Sequence, residues 1–211
     1  FETPSLESLK ECRKLQNCRR DPVETVKTLQ RAGMEVMGGF IVGFDNDPLD
    51  IFQRQFEFIQ RSGVVTAMVG LLTALPETRL YRRLMDEGRL ESESTGNNTQ
   101  AALNFRPKLD REFLVNGYRE LMKQLYEPRN YYQRIRTFLE HHRPAGPRLR
   151  IAWSDIQAFM KSFWLLGVWH RGRGAYWRFC ATTLLRRPHQ LHQAFALAVI
   201  GHHFRRVAKS L

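Results

Sequence analysis

The chain has 211 residues, 43% of them hydrophobic, and a formal net charge of +12 from 33 basic and 21 acidic side chains. That length and apolar content suit one large domain or two small ones with real cores, and exclude a disordered chain or a disulfide-stapled miniature. Three cysteines without framework spacing fit a reducing compartment, and no apolar run reaches the roughly 18–20 residues needed to cross a bilayer.

The opening Phe1-Glu2-Thr3-Pro4-Ser5 reads as a strand tip turning into a helix, since the residue before a proline avoids helix and proline suits a first helical turn. Without an initiator methionine, the chain is expected to be a fragment, with Glu2 at a ligand-facing strand end. Helical patterning runs from Ser5 to Arg31 and closes at Ala32-Gly33. The run Gly38-Gly39-Phe40-Ile41-Val42-Gly43-Phe44 suits a strand covered on both faces, and Asp45, Asn46, Asp47 and Pro48 stop it and are placed to cap the next helix. Gly39 and Gly43 lack a Cβ, so another backbone or a flat ligand such as a nucleoside can approach closely. An ordinary tight turn between strand and helix would use the same residues.

A helix from Pro48 to Arg61 closes at Ser62-Gly63, and an apolar run from Val64 to Leu75 makes a second strand. Beyond Pro76-Glu77-Thr78, a helix from Arg79 to Asp86 stops at Gly88. This alternation predicts parallel strands joined by right-handed crossovers, helices outside, and ligands at the C-terminal strand ends. A complete eight-unit barrel takes roughly 250 residues, so the α/β part is expected to be the trailing piece of a larger sheet or barrel.

Charge then divides the chain. Residues 1–104 carry a net −2 and residues 105–211 a net +14, and Asp155 is the sole acid from His141 onward. All seven histidines and all four tryptophans also lie beyond residue 140. With the polar stretch Glu91 to Gln100, this shift places a boundary near 95–105, giving an α/β part over residues 1–95 and a basic helical part over 96–211. Helices are expected near Asp110–Tyr126, Pro128–His141, Ser154–Trp169, Ala175–Leu185 and Pro188–Lys209, with Phe159, Phe163, Leu166, Trp169 and Trp177 on apolar faces. Those faces suit mutual packing, an anionic membrane surface, or nucleic acid, the last disfavoured because no recognisable binding motif accompanies the charge. Pairs such as His141-His142 and His202-His203 diverge on a helix and have no nearby carboxylate, which makes exposed or satisfied histidines the simpler reading than a metal site.

Taken together, "FETPSLESLKE", "GMEVMGGFIVGFDND" and "LLTALPETRLYRRLMDEGRL" resemble the second half of a radical S-adenosylmethionine (SAM) enzyme core of the cobalamin-binding subgroup. Residues from about 105 onward, including "NFRPKL", "EPRNYYQRI" and "PHQLHQAFALAVIGHHFRRV", resemble the helical domain of unknown function that follows this core in proteins such as hopanoid methylases. The resemblance implies the trailing βα units of a partial (βα)6 barrel followed by that helical domain. It implies SAM contacts from Glu2 and Ser5 at the fourth strand, from Gly39, Ile41 and Gly43 of a Gly-x-Ile-x-Gly pattern at the fifth, and from Leu72, Thr73 and Leu75 at the sixth. The final acidic position of the fifth-strand pattern falls on Asn46, a departure that leaves Asp45 and Asp47 as the neighbouring candidates.

The family binds a [4Fe-4S] cluster through Cys-x3-Cys-x2-Cys, and this chain has only Cys12, Cys18 and Cys180. The spacing of six keeps Cys12 and Cys18 off a common helix face, so the cluster and the cobalamin are expected on an upstream half of the same polypeptide. The resemblance implies one-electron cleavage of SAM and radical methylation or a related C–H functionalisation of a small molecule or lipid. With the reducing-compartment cysteines and the basic aromatic helices, a cytoplasmic protein peripheral to the inner membrane face is expected, and no turnover by these 211 residues alone. The competing reading is a non-catalytic basic helical adaptor for an anionic membrane surface or another protein.

Overall fold

The computed structural model of the chain describes residues 2–14, 21–92, 102–144, 160, 163–169 and 172–211. Ser5 starts the first helix, α1 (Leu6–Glu11), by accepting a hydrogen bond from the Ser8 amide at 3.3 Å. The helix ends at Cys12, and Arg13 takes a left-handed φ of 57°. A second helix, α2 (Pro22–Arg31), begins at Asp21, whose carboxylate accepts from the Val23 amide at 2.9 Å. The single helix expected from Ser5 to Arg31 is therefore two. The physical reason lies in the left-handed Arg13 on one side and the Asp-Pro start signal on the other.

Two parallel strands follow, β1 (Gly38–Val42) and β2 (Ala67–Leu71), separated by α3 (Ile51–Ser62) and paired Gly38 with Ala67 through Val42 with Leu71. Because side chains alternate across a strand, Phe40, Val42, Val69 and Leu71 bury one face. That face packs into the same core as Val26, Ile59 and Val64, with the Phe40 and Phe58 rings edge to face at 5.8 Å. The opposite face carries Gly39 and Met68, both exposed, and Ile41 and Gly70, both half-buried. The expectation of a strand covered on both faces is thus not met among the described residues. Likewise Asp50, rather than Asp45 to Pro48, precedes the first turn of α3, and it makes no side-chain capping bond. The last α/β helix, α4 (Arg79–Asp86), is capped by the Thr78 hydroxyl, which accepts from the Tyr81 amide at 3.2 Å.

The rest is helical: α5 (Arg111–Tyr126), α6 (Pro128–His141), a π-helical turn (Phe163–Trp169), α7 (Arg173–Arg186), a 3-10 turn (Pro188–Gln190) and α8 (Leu191–Lys209). Helix α6 packs on α3, α7 and α8, and α5 on α8 and β2, so one continuous core runs from Val23 to Ala208. Buried aromatic rings dominate its C-terminal half. Tyr126 stacks on Phe204 at 5.2 Å and Tyr132 on Phe179 at 4.9 Å, each such ring contributing about 1.5–3 kcal/mol by burial. Tyr131 lies against Gly201, where an added Cβ would meet the ring at 2.0 Å, and its hydroxyl donates to the Leu197 carbonyl at 2.7 Å. Of the apolar residues expected to pack these helices, Leu166 is buried and Phe163 half-buried, but Trp169 is 83% exposed and Trp177 42% exposed. Phe159 lies outside the described residues.

The outer edge of β2 is sealed by the helical part. The Tyr126 hydroxyl donates to the Ala67 carbonyl at 2.7 Å, and Arg134 donates to the Val65 carbonyl at 3.2 Å and the Leu125 carbonyl at 2.9 Å. Past the strand, the Asn104 amide makes two bonds of 2.9 Å with the backbone N–H and C=O of Ala74, as a further strand would. Arg134 is fully buried without a carboxylate partner among the described residues. Its guanidinium lies 5.4 Å and 5.1 Å from the Tyr126 and Tyr131 ring centres, and a third bond reaches the Gln60 side-chain oxygen.

Candidate functional site

The three segments expected to meet a ligand lie side by side. The Ile41 amide donates to the Glu2 carbonyl at 2.7 Å, and the Leu72 amide donates to the Val42 carbonyl at 2.8 Å. Glu2, the end of β1 and the end of β2 are therefore neighbours in one backbone row. Glu2 is half-buried, and its carboxylate pairs with Lys14 at 3.0 Å.

Beyond Val42 the chain turns at Gly43, whose φ of 105° favours glycine. Asp47 holds this turn. One of its oxygens accepts from the Gly43 and Phe44 amides at 2.8 and 3.0 Å, while the other accepts from the Ser8 hydroxyl at 2.6 Å. Burial pushes the Asp47 carboxyl above its ordinary range against the pull of those three donors. Ser5, buried beside Ser8, caps α1.

Asp45 is bound from above by two arginines. Arg89 meets both its oxygens at 2.7 and 2.9 Å and Arg83 one of them at 3.1 Å, with Lys108 at 3.9 Å. Burial alone would raise the Asp45 carboxyl, but the Arg89 hydrogen bonds and the three positive charges hold it below its usual range. The Asp45 side chain is only 5% exposed, so it fastens the β1 tip to α4 and to the segment after it. Leu72 is buried, the Thr73 hydroxyl donates to the Leu71 carbonyl at 3.4 Å, and Leu75 is exposed.

The open sheet face completes the site. Gly39 pairs with Met68 and Ile41 with Gly70, so each glycine sits opposite a large apolar side chain. Nothing lies within 4 Å of a Cβ built on Gly39. A planar group can therefore rest on backbone between Ile41 and Met68. Sequence reasoning missed Met68 and Gly70. The pairing of two glycine-interrupted apolar runs was the available signal, since it puts position 70 on the same face as position 41. It also missed Arg83 and Arg89, because ion pairs across 38 and 44 residues leave no local pattern.

Burial pushes the Cys12 and Cys180 thiols up to about 11, and Cys18 lies outside the described residues. Among the described residues no three His, Cys, Asp or Glu side chains are grouped to hold a metal ion. His142 stacks on Phe138 and contacts the Gly33 carbonyl at 3.2 Å, and His141 contacts the Thr137 carbonyl at 2.9 Å. No described helix is long and apolar enough to cross a membrane.

Comparison with known proteins assigns the chain to a family. A model for a domain of unknown function, DUF4070, matches residues 78–211. Over 97% of its length the chain is 33% identical to an uncharacterized methyltransferase of Synechocystis, and over 96% it is 28% identical to the hopanoid C-2 methylase of Rhodopseudomonas palustris. A bacteriochlorophyllide d C-12(1)-methyltransferase of Chlorobaculum tepidum is 27% identical over 60% of the chain, a match covering 28% of that protein. The chain spans 39% of the length of the first two relatives, and no solved structure matches it significantly. The chain belongs to the DUF4070 family, a domain found in methylases of the cobalamin-binding radical SAM type.

Proposed function

We propose that the protein is a radical SAM methylase, dependent on cobalamin and a [4Fe-4S] cluster, and that β1 and β2 are the last strands of its partial (βα)6 barrel. The observation that carries this reading is the open face of Gly39, Ile41, Met68 and Gly70 beside the Glu2 tip. Its residues suit the adenine end of SAM, because glycine backbone admits a ring and two flanking apolar side chains enclose it. SAM, when bound, supplies the radical and methyl-transfer chemistry.

The chain's own residues bind and orient. Gly39 and Gly70 leave room for the ring, Ile41 and Met68 exclude water from its faces, and Glu2 presents a carboxylate at the strand tip to a polar or cationic end of the ligand. Gly43, with the Leu72–Leu75 backbone, shapes the rim. Asp45 and Ser5 act at one remove, Asp45 through its arginines and Ser5 as the cap of α1. The described residues do not fit the iron-sulfur cluster, whose ligands and the cobalamin site are assigned to an upstream half of the same polypeptide. The names of two relatives, a hopanoid and a bacteriochlorophyllide methylase, support a large apolar substrate.

The test is anaerobic purification of the protein at its natural length. Iron, cobalamin and SAM consumption are expected together, with weak SAM binding and no turnover by the 211-residue chain alone. Absence of iron and of SAM consumption in the natural-length protein would sink the reading.

A further inference from the structure

An exposed apolar surface lies at the far end of the helical part. In the turn Phe163–Trp169, Leu166 and Gly167 point inward while Trp164, Leu165, Val168 and Trp169 are 56%, 47%, 40% and 83% exposed. A π-helix returns to the same face about every four to five residues, so 164 aligns with 168 and 169, and the four make one stripe. An α-helix would spread the same residues further around its axis.

The stripe continues onto α7. The Trp177 indole N–H donates to the Gly167 carbonyl at 3.0 Å, which fixes the two elements together, and Leu184 and Leu185 extend the exposed face to the end of that helix. A patch of this kind marks an interaction surface rather than a scatter of single exposed residues.

Charge selects the occupant. No Asp or Glu follows Asp155 in the sequence, and Arg173 and Arg178 are exposed on α7 beside the patch. We propose that the face formed by the π-helical turn and α7 docks on an anionic lipid surface, tryptophans and leucines entering the acyl boundary and the arginines meeting the headgroups. A two-fold contact between copies would set these arginines opposite their equivalents with no acid in the surrounding segment to neutralise them. Nor does the sheet side compete for the patch, since the turn packs mainly on α7, and α7 lies on α6, which separates it from the strands.

The proposal goes beyond the methylase reading and does not depend on it. Vesicle binding is measured without cofactor or turnover, so either can fail alone. The natural-length protein is sedimented with vesicles of phosphatidylcholine and with vesicles containing about one-third phosphatidylglycerol. Binding at least about tenfold stronger to the anionic vesicles is expected, weakening with salt. The Trp164→Ser/Trp169→Ser double variant, exposed at both positions, should lose about tenfold or more with an unchanged circular dichroism spectrum. For the unaltered protein, spin-labelled lipid should quench tryptophan fluorescence. Equal binding to neutral vesicles, or binding indifferent to the double substitution, overturns the proposal. So does a concentration-dependent dimer abolished by that substitution, which would assign the face to a second copy, or nucleic-acid binding that persists in detergent and displaces vesicles.

Discussion

The two sides of the sheet are finished differently. Along β2, side chains from residues 104, 126 and 134 occupy the carbonyls and amides that another strand would use. Along β1, only the Glu2 carbonyl meets the edge among the described residues, and the face above Gly39 is bare. An edge strand with unpaired groups invites further pairing, so sealing one edge ends the sheet there. The closed β2 edge is structural, the proposed ligand rests on the bare face that both strands share, and each reading can be broken by substitution.

The largest effect is expected at Arg134. Replacing it with alanine leaves the Val65 and Leu125 carbonyls without their donor and opens a cavity under two tyrosines, costing about 3–5 kcal/mol. A urea titration showing less than about 1 kcal/mol would mean that the seal is ornamental. Asp45→Asn comes next, at about 2–4 kcal/mol, because it strips Arg89 of its bidentate partner and leaves only Glu87 and the Arg106 carbonyl to hold it.

The same residue sets a pH dependence. A carboxyl whose folded value lies below its unfolded one stabilises the fold above about pH 4, and that contribution is lost as pH falls further. The acid limb of the stability profile should therefore be shallower in Asp45→Asn than in the unaltered protein. An identical limb in both would remove Asp45 from the account.

A smaller loss is expected from Tyr126→Phe, which deletes only the hydroxyl bond to Ala67 and should cost about 1 kcal/mol while keeping the ring stack on Phe204. Smallest of all in stability is Gly39→Val. Open space and extended backbone accommodate the side chain, so thermal unfolding should move by less than about 0.5 kcal/mol. SAM affinity of the natural-length protein should nonetheless fall about tenfold or more, as the added atoms fill the bare face. A stable Gly39→Val protein with undiminished SAM affinity would falsify the placement of the ligand there.

Much of the fold was legible because its signals are local. Arg79–Asp86 and Pro128–His141 appear with the expected bounds, framed by Thr78 and by Pro128. The Ser5–Arg31 helix divided where Arg13 turned left-handed, a conformation that an arginine does not announce. Glu2, Gly39, Ile41, Gly43 and Leu72 could be proposed from motif spacing, whereas their neighbours Met68 and Gly70 needed the strand register. The π-helical turn was not legible, since its residues read equally well as one side of an ordinary amphipathic helix.

By itself the sequence determined the order of the elements, the parallel pairing of two glycine-bearing strands and the separation of an acidic front from a basic, aromatic back. These follow from periodicity, punctuation and charge, which act over a few residues and survive without knowledge of the fold. Only the tertiary structure decided which sheet edge is closed, which face is bare, that Asp45 is held by arginines, and that Trp164, Trp169 and Trp177 stand exposed. Those depend on contacts between residues dozens of positions apart, where packing and desolvation choose the partner and no local pattern records the choice.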